Sequence, residues 1–296
     1  MLRPIINKDS FPFSSMRKET VEIDGSTLEV TTMGSGTPVF CIHGLLVHDA
    51  FIAPLSRFCP DIFKSYKFYS VSRLGYGFSS DCPEGYDMAK AVDLYFKTME
   101  TLNLSNPHLL AFSFGGNIAL QMLIDQPTRF ASAVFSEAYW VDATSVAENI
   151  AAFVAAQELF AVSPLLAAMK YQELICGKSF HSYVDITCDR EEVNEHLPRG
   201  AATMFNHDMA LLDGWAFPNF IETAQKAKGP ALNTLLAIGA ESEYYVPGFR
   251  HRHRLLENWF PNTRAMVLPN TSHAMQLSSP KLFGDQCQTF WDNQRP

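Results

Sequence analysis

Residues 108–120 read His108-Leu-Leu-Ala111-Phe-Ser113-Phe114-Gly115-Gly116-Asn-Ile-Ala-Leu120. An unbroken apolar run, the pattern of a strand buried on both faces, meets a serine and two glycines. It then continues as apolar residues at helical spacing. The chain is therefore predicted to turn sharply from strand to helix at Ser113. A serine hydroxyl is a weak nucleophile and must be held in the open beside a base. Such a turn does that. It also aims the N-terminus of the next helix at the site, where N–H groups and the helix dipole favour a developing oxyanion. Ala111 and Gly115, one on each side, are small enough to let strand and helix approach closely.

Working outward, residues 19–33 alternate in the manner of two antiparallel strands joined around Gly25-Ser26. Short apolar runs then recur at 38–42, 68–71, 108–112, 131–135, 232–238 and 265–268. Amphipathic stretches lie between most of them, as at 88–102, 116–124 and 249–259. Strand and helix in alternation predict an α/β fold: a mostly parallel, eight-stranded sheet with helices on both faces. About 95 residues separate the sixth run from the next, far more than an ordinary connection. Helical spacing at 145–160 and 164–175 marks this stretch as a helical cap inserted after the sixth strand. The expected domains are a core of residues 1–138 and 229–296 and a cap of 139–228. Apolar cap residues such as Phe160, Met169 and Trp215 could line a pocket.

Of the 296 residues, 47% are hydrophobic and 18% charged, enough for a large core, and the net charge is -8. No Lys/Arg cluster suits a nucleic acid; the run 250–254 reads as the solvated face of a helix. The six cysteines, scattered without a C-x-x-C pair, lack the spacing of a zinc or thiol-redox site. Free thiols, no apolar leader after Met1 and no membrane-length apolar segment favour a cytoplasmic protein with neither a membrane nor a nucleic-acid partner. Nothing in the sequence fixes an oligomeric state.

The 108–120 stretch resembles the nucleophile elbow, G-x-S-x-G, of the α/β-hydrolase family, with Ala111 in place of the first glycine. Three further stretches resemble that family. His43-Gly44-Leu45-Leu46 follows the third predicted strand like the family's H-G turn. The resemblance implies that the backbone N–H groups of Leu45 and Phe114 form an oxyanion hole, each worth about 3–4 kcal/mol. Ser72-Arg73-Leu74-Gly75-Tyr76-Gly77-Phe78-Ser79 is similar to a D-x-x-G-x-G-x-S loop, with Ser72 where the family has Asp; this loop is expected to be structural. His273 follows the last strand, as the order Ser…acid…His requires, and is the implied base. The acid is expected at Glu243, after the 232–238 strand, with Glu241 and Glu137 as alternatives.

The resemblance thus implies a serine hydrolase that acylates Ser113 and needs neither cofactor nor metal. A small, moderately apolar ester or lactone is the first expectation for its substrate. An aminopeptidase or a carbon–carbon bond hydrolase with the same triad is the alternative, as is a ligand sensor that does not turn over. Serine at 113 argues against the aspartyl-nucleophile epoxide hydrolases and dehalogenases of the same fold.

Overall fold

The structure is a computed structural model, and it describes residues 16–45, 52–81, 86–138 and 229–294. The described residues form one eight-stranded sheet in the order β1-β2-β4-β3-β5-β6-β7-β8. The first two strands, β1 (Arg17–Ile23) and β2 (Ser26–Gly34), pair antiparallel. Their turn is Asp24-Gly25, with φ of 49° and 77°. Two positive φ values in a two-residue loop match the right-handed twist of a hairpin. The turn therefore lies one residue earlier than the Gly25-Ser26 junction expected from sequence.

β2 runs antiparallel to β4 (Tyr66–Val71). From there the sheet is parallel, through β3 (Thr37–Ile42), β5 (His108–Phe112), β6 (Ser132–Ser136), β7 (Thr234–Gly239) and β8 (Thr263–Leu268). The helices of the described residues are α1 (Ala53–Phe58), α2 (Ile62–Ser65), α3 (Met88–Thr101), α4 (Gly115–Asp125), α5 (Ser242–Tyr245), α6 (Phe249–Trp259), α7 (Met275–Ser278) and α8 (Pro280–Asp292).

Period-two alternation sorts the strand residues onto two cores. Phe40, Ile42, Leu109, Ala111, Ala133 and Phe135 pack on one face with Ile118 and Leu120 of α4 and Met99 of α3. Val39, Cys41, Leu110, Phe112, Val134 and Ala237 face the other way, onto Phe283, Cys287 and Trp291 of α8. Each large apolar side chain removed from water in this way contributes about 1.5–3 kcal/mol. Both cores exist because the central residues of β3, β5, β6 and β7 are apolar on both faces, which those of an amphipathic strand are not.

Parallel strands bring all their C-terminal ends to one edge of the sheet. The residues that follow β3, β5, β6, β7 and β8 are therefore neighbours, whatever their separation in sequence. The cap expected over 139–228 lies outside the described residues.

Candidate active site

The elbow begins with the ladder of β5 carried one residue past its end: the Ser113 N–H donates to the Ser136 carbonyl at 2.9 Å. Ser113 then adopts a left-handed φ of 51°. That conformation costs a non-glycine residue about 1–3 kcal/mol and persists only where its surroundings enforce it. The enforcing contacts come from α4. A Cβ on Gly115 would lie 2.5 Å from the carbonyl oxygens of both Ile42 and His43, and one on Gly116 would lie 2.3 Å from the Ala138 Cβ. The helix thus starts hard against the ends of β3 and β6. Gly44 is equally close to the serine: a Cβ there would lie 3.0 Å from the Ser113 Cβ. The His43-Gly44-Leu45 turn therefore abuts Ser113, and Phe114 begins α4 on its other side.

His273 lies five residues past β8, in a buried loop held by its neighbours. The N–H of Ala240 donates to the Leu268 carbonyl at 2.8 Å, and that of Glu241 to the Thr271 carbonyl at 2.9 Å. The Phe112 ring packs on the imidazole at a centroid distance of 5.2 Å. His273 Nε2 is 2.8 Å from Ser113 Oγ, although the two residues are 160 positions apart in sequence.

The other ring nitrogen faces Glu137. His273 Nδ1 is 3.3 Å from Glu137 Oε2. The carboxylate can only accept, so Nδ1 carries the proton and the neutral ring leaves Nε2 to accept from the Ser113 hydroxyl. Glu137 is the residue directly after β6 and is fully buried. Its N–H continues the ladder onto the Ala237 carbonyl at 2.8 Å, and its own φ is 53°. Oε1 accepts from the Gly239 N–H and, at 2.7 Å, from the Ser242 hydroxyl. A buried carboxylate is tolerable only with its lone pairs satisfied, and these three donors do that.

The sequence reading put Glu243 in this place, and here the structure corrects it. Glu243 turns away to cap α6, accepting from the N–H of Gly248 at 2.9 Å and of Arg250 at 2.7 Å. The Arg250 N–H, first among several causes, holds the Glu243 carboxyl below its ordinary value. A carboxylate at the N-terminus of a basic helix is well placed electrostatically, which accounts for its commitment there. Glu241 precedes α5, whose N-cap it is; the oxygen beside His273 Nδ1 is that of Glu137, from the end of the neighbouring strand β6.

Sequence reasoning gave no individual role to three residues buried in and beside these turns. Ser242 is the donor to Glu137, a role that becomes visible only with Glu137 facing His273. Glu29, on β2, is buried and receives the Phe78 N–H at 3.1 Å; it also lies within 3.5 Å of the Ser72 hydroxyl. It thereby supplies a carboxylate to the loop whose own acid is replaced by Ser72. Arg73 is buried against the His43-Gly44 turn. Position in the fold, not local spacing, decides these contacts. Among the described residues no group of three or more His, Cys, Asp or Glu side chains could hold a metal ion.

A protein-family model described as the alpha/beta hydrolase fold matches residues 37–170, which include the elbow serine and Glu137. The chain thus has the α/β-hydrolase fold, and residues 37–170 resemble that family in sequence. The chain is 32% identical over 113 residues to an uncharacterised hydrolase of Bacillus subtilis (strain 168), a match covering 38% of each chain. It spans less than half the length of the curated relatives it matches. Among solved structures it is similar to epoxide hydrolase I of potato (Solanum tuberosum), with a TM-score of 0.75 at 15% identity over 94% of this chain and 99% of that one. It is similar also to an esterase from Exiguobacterium antarcticum, with a TM-score of 0.71 at 18% identity over 93% and 100% of the two chains. At such identities the solved structures speak for the fold alone.

Proposed function

We propose that this chain is an α/β-hydrolase of the serine type that cleaves a small, moderately apolar carboxylic ester or lactone through an acyl-serine intermediate. The observation that carries the reading is the continuous line Ser113 Oγ, His273 Nε2, His273 Nδ1, Glu137 Oε2, with spacings of 2.8 and 3.3 Å across it. The Ser113 hydroxyl attacks the carbonyl carbon as its proton passes to His273 Nε2. Glu137 holds the ring in the productive tautomer and stabilises the imidazolium that forms. The Leu45 and Phe114 N–H groups receive the oxyanion. His273 then returns the proton to the leaving oxygen, and water, deprotonated by the same nitrogen, releases the acid and frees the serine.

The similar structures include an esterase and an epoxide hydrolase. A serine paired with an imidazole suits acyl transfer, which favours the ester over the epoxide. In the proposed chemistry the protein's own residues suffice, and its partner is the small substrate.

Turnover of p-nitrophenyl acetate and butyrate, with a lactone and an amino-acid anilide alongside, tests the reading. The wild type should hydrolyse at least one ester or lactone, and Ser113→Ala should lose that activity by about a thousandfold or more. Equal rates in the two proteins would refute it.

A further inference from the structure

A buried cation stands behind the turn that carries Leu45. Arg73 lies two residues beyond β4 and is 2% exposed. Its Nη1 donates to the His43 carbonyl at 2.5 Å, and its Nη2 to the Gly44 carbonyl at 2.8 Å and the Tyr76 hydroxyl at 3.2 Å. Its backbone N–H donates to His43 Nε2 at 3.0 Å. His43 Nδ1 must then carry the ring proton, and it donates to the same Gly44 carbonyl at 2.9 Å. The guanidinium carbon also lies 4.8 Å from the centre of the Tyr76 ring and 5.9 Å from that of Phe114. Arg73 therefore reaches both residues flanking the hydroxyl of Ser113: the Gly44–Leu45 turn by hydrogen bonds and Phe114 by its ring.

The Gly44 carbonyl and the Leu45 N–H are opposite ends of one peptide group. Donors on a carbonyl oxygen draw electron density from the amide nitrogen and strengthen its N–H as a donor. Here two donors converge on that oxygen, and one bears a full positive charge. Burying an arginine is costly unless its hydrogen bonds are made. A turn that needed only to be held could be held by a neutral side chain.

We propose that Arg73 is a positioning residue for the oxyanion hole: it orients and polarises the Gly44–Leu45 peptide so that the Leu45 N–H binds the tetrahedral oxygen more tightly than the ground-state carbonyl. This rests on the serine-hydrolase reading above. Arg73 touches the peptide and not the substrate. Its effect is electrostatic, acts from within the protein interior, and grows as negative charge develops on the reacting oxygen.

The test compares two ketones of the same acyl chain as competitors of fluorophosphonate labelling at Ser113. A trifluoromethyl ketone forms an anionic hemiketal with the serine; the corresponding methyl ketone remains neutral. In Arg73→Lys the trifluoromethyl ketone should weaken on the order of tenfold, and in Arg73→Met on the order of a hundredfold, with the methyl ketone changed by less than about twofold in both. A merely structural arginine would weaken both ketones together, and that result, or no change in either, would overturn the proposal. Should neither variant fold, the wild type decides. The Nη–H proton resonances of Arg73 should move when the hemiketal anion forms, and a guanidinium indifferent to it would equally overturn the proposal. Wild-type protein that fluorophosphonate does not label at all points to failure of the serine-hydrolase reading itself.

Discussion

Glu137 and Glu243 carry the same carboxylate in opposite surroundings. Glu137 is enclosed among a backbone N–H, the Ser242 hydroxyl and the His273 ring. Glu243 caps a helix near the surface. Glu137→Gln keeps the shape but removes the charge that stabilises the imidazolium and can present its NH2 to Nδ1, favouring the wrong tautomer. Its kcat on an ester substrate should fall about 10³- to 10⁴-fold. Glu243→Gln should leave kcat within about twofold and lower stability by about 1 kcal/mol through the weakened cap. Steady-state kinetics and urea titration of both variants check the contrast. From sequence, both glutamates follow strands, and their spacing could not say which way each side chain turns. That is decided by the neighbours: Gly239 and Ser242 on one, Gly248 and Arg250 on the other.

The elbow fixes the site at the scale of elements. Its strand, turn and helix were legible because each residue type answers a local steric demand: apolar from Leu109 to Phe112 in β5, small at 111 and 115, helical spacing from 116 onward. The sheet order was legible only in outline, since parallel pairing follows from the whole set of crossovers and not from any one strand. The hairpin turn lies at Asp24-Gly25 because both of its residues must take positive φ, and the pair best suited to that begins one residue earlier. Gly115→Ala tests the elbow's tightness. Its methyl would overlap two carbonyl oxygens at 2.5 Å, contacts that belong to backbone and cannot rotate away. We expect a loss of about 2 kcal/mol or more in stability, with reduced activity in the fraction that folds. Thermal unfolding together with ester hydrolysis reads both; an unchanged Tm would contradict the packing described.

Over the whole molecule, the helical layers that cover the sheet make stability depend on pH through a buried group outside the Ser113–His273–Glu137 line. His253, on α6, is 4% exposed, and burial pushes its pKa down from 6.5 to about 4. The unfolded chain therefore binds this proton more readily than the folded one. The stability it confers is complete above pH 6.5 and is lost as pH falls from there towards 4, by on the order of 3 kcal/mol. His253→Gln should remove that part of the acid sensitivity, so the wild type and the variant converge in urea midpoint as pH falls across this window. Parallel curves would place the acid sensitivity elsewhere. No described helix is long and apolar enough to cross a membrane. Cys41, Cys59 and Cys287 are free and buried, and burial raises the thiol of each above its ordinary value.

The central claim is that distant parts of the chain converge to make one hydroxyl unusually nucleophilic. Peptide mapping by mass spectrometry after brief reaction with a fluorophosphonate measures this directly. The account predicts a single adduct, on Ser113, formed at least about a hundredfold more slowly in His273→Ala. An adduct on another residue, or labelling of Ser113 at an unchanged rate without the imidazole, would contradict it.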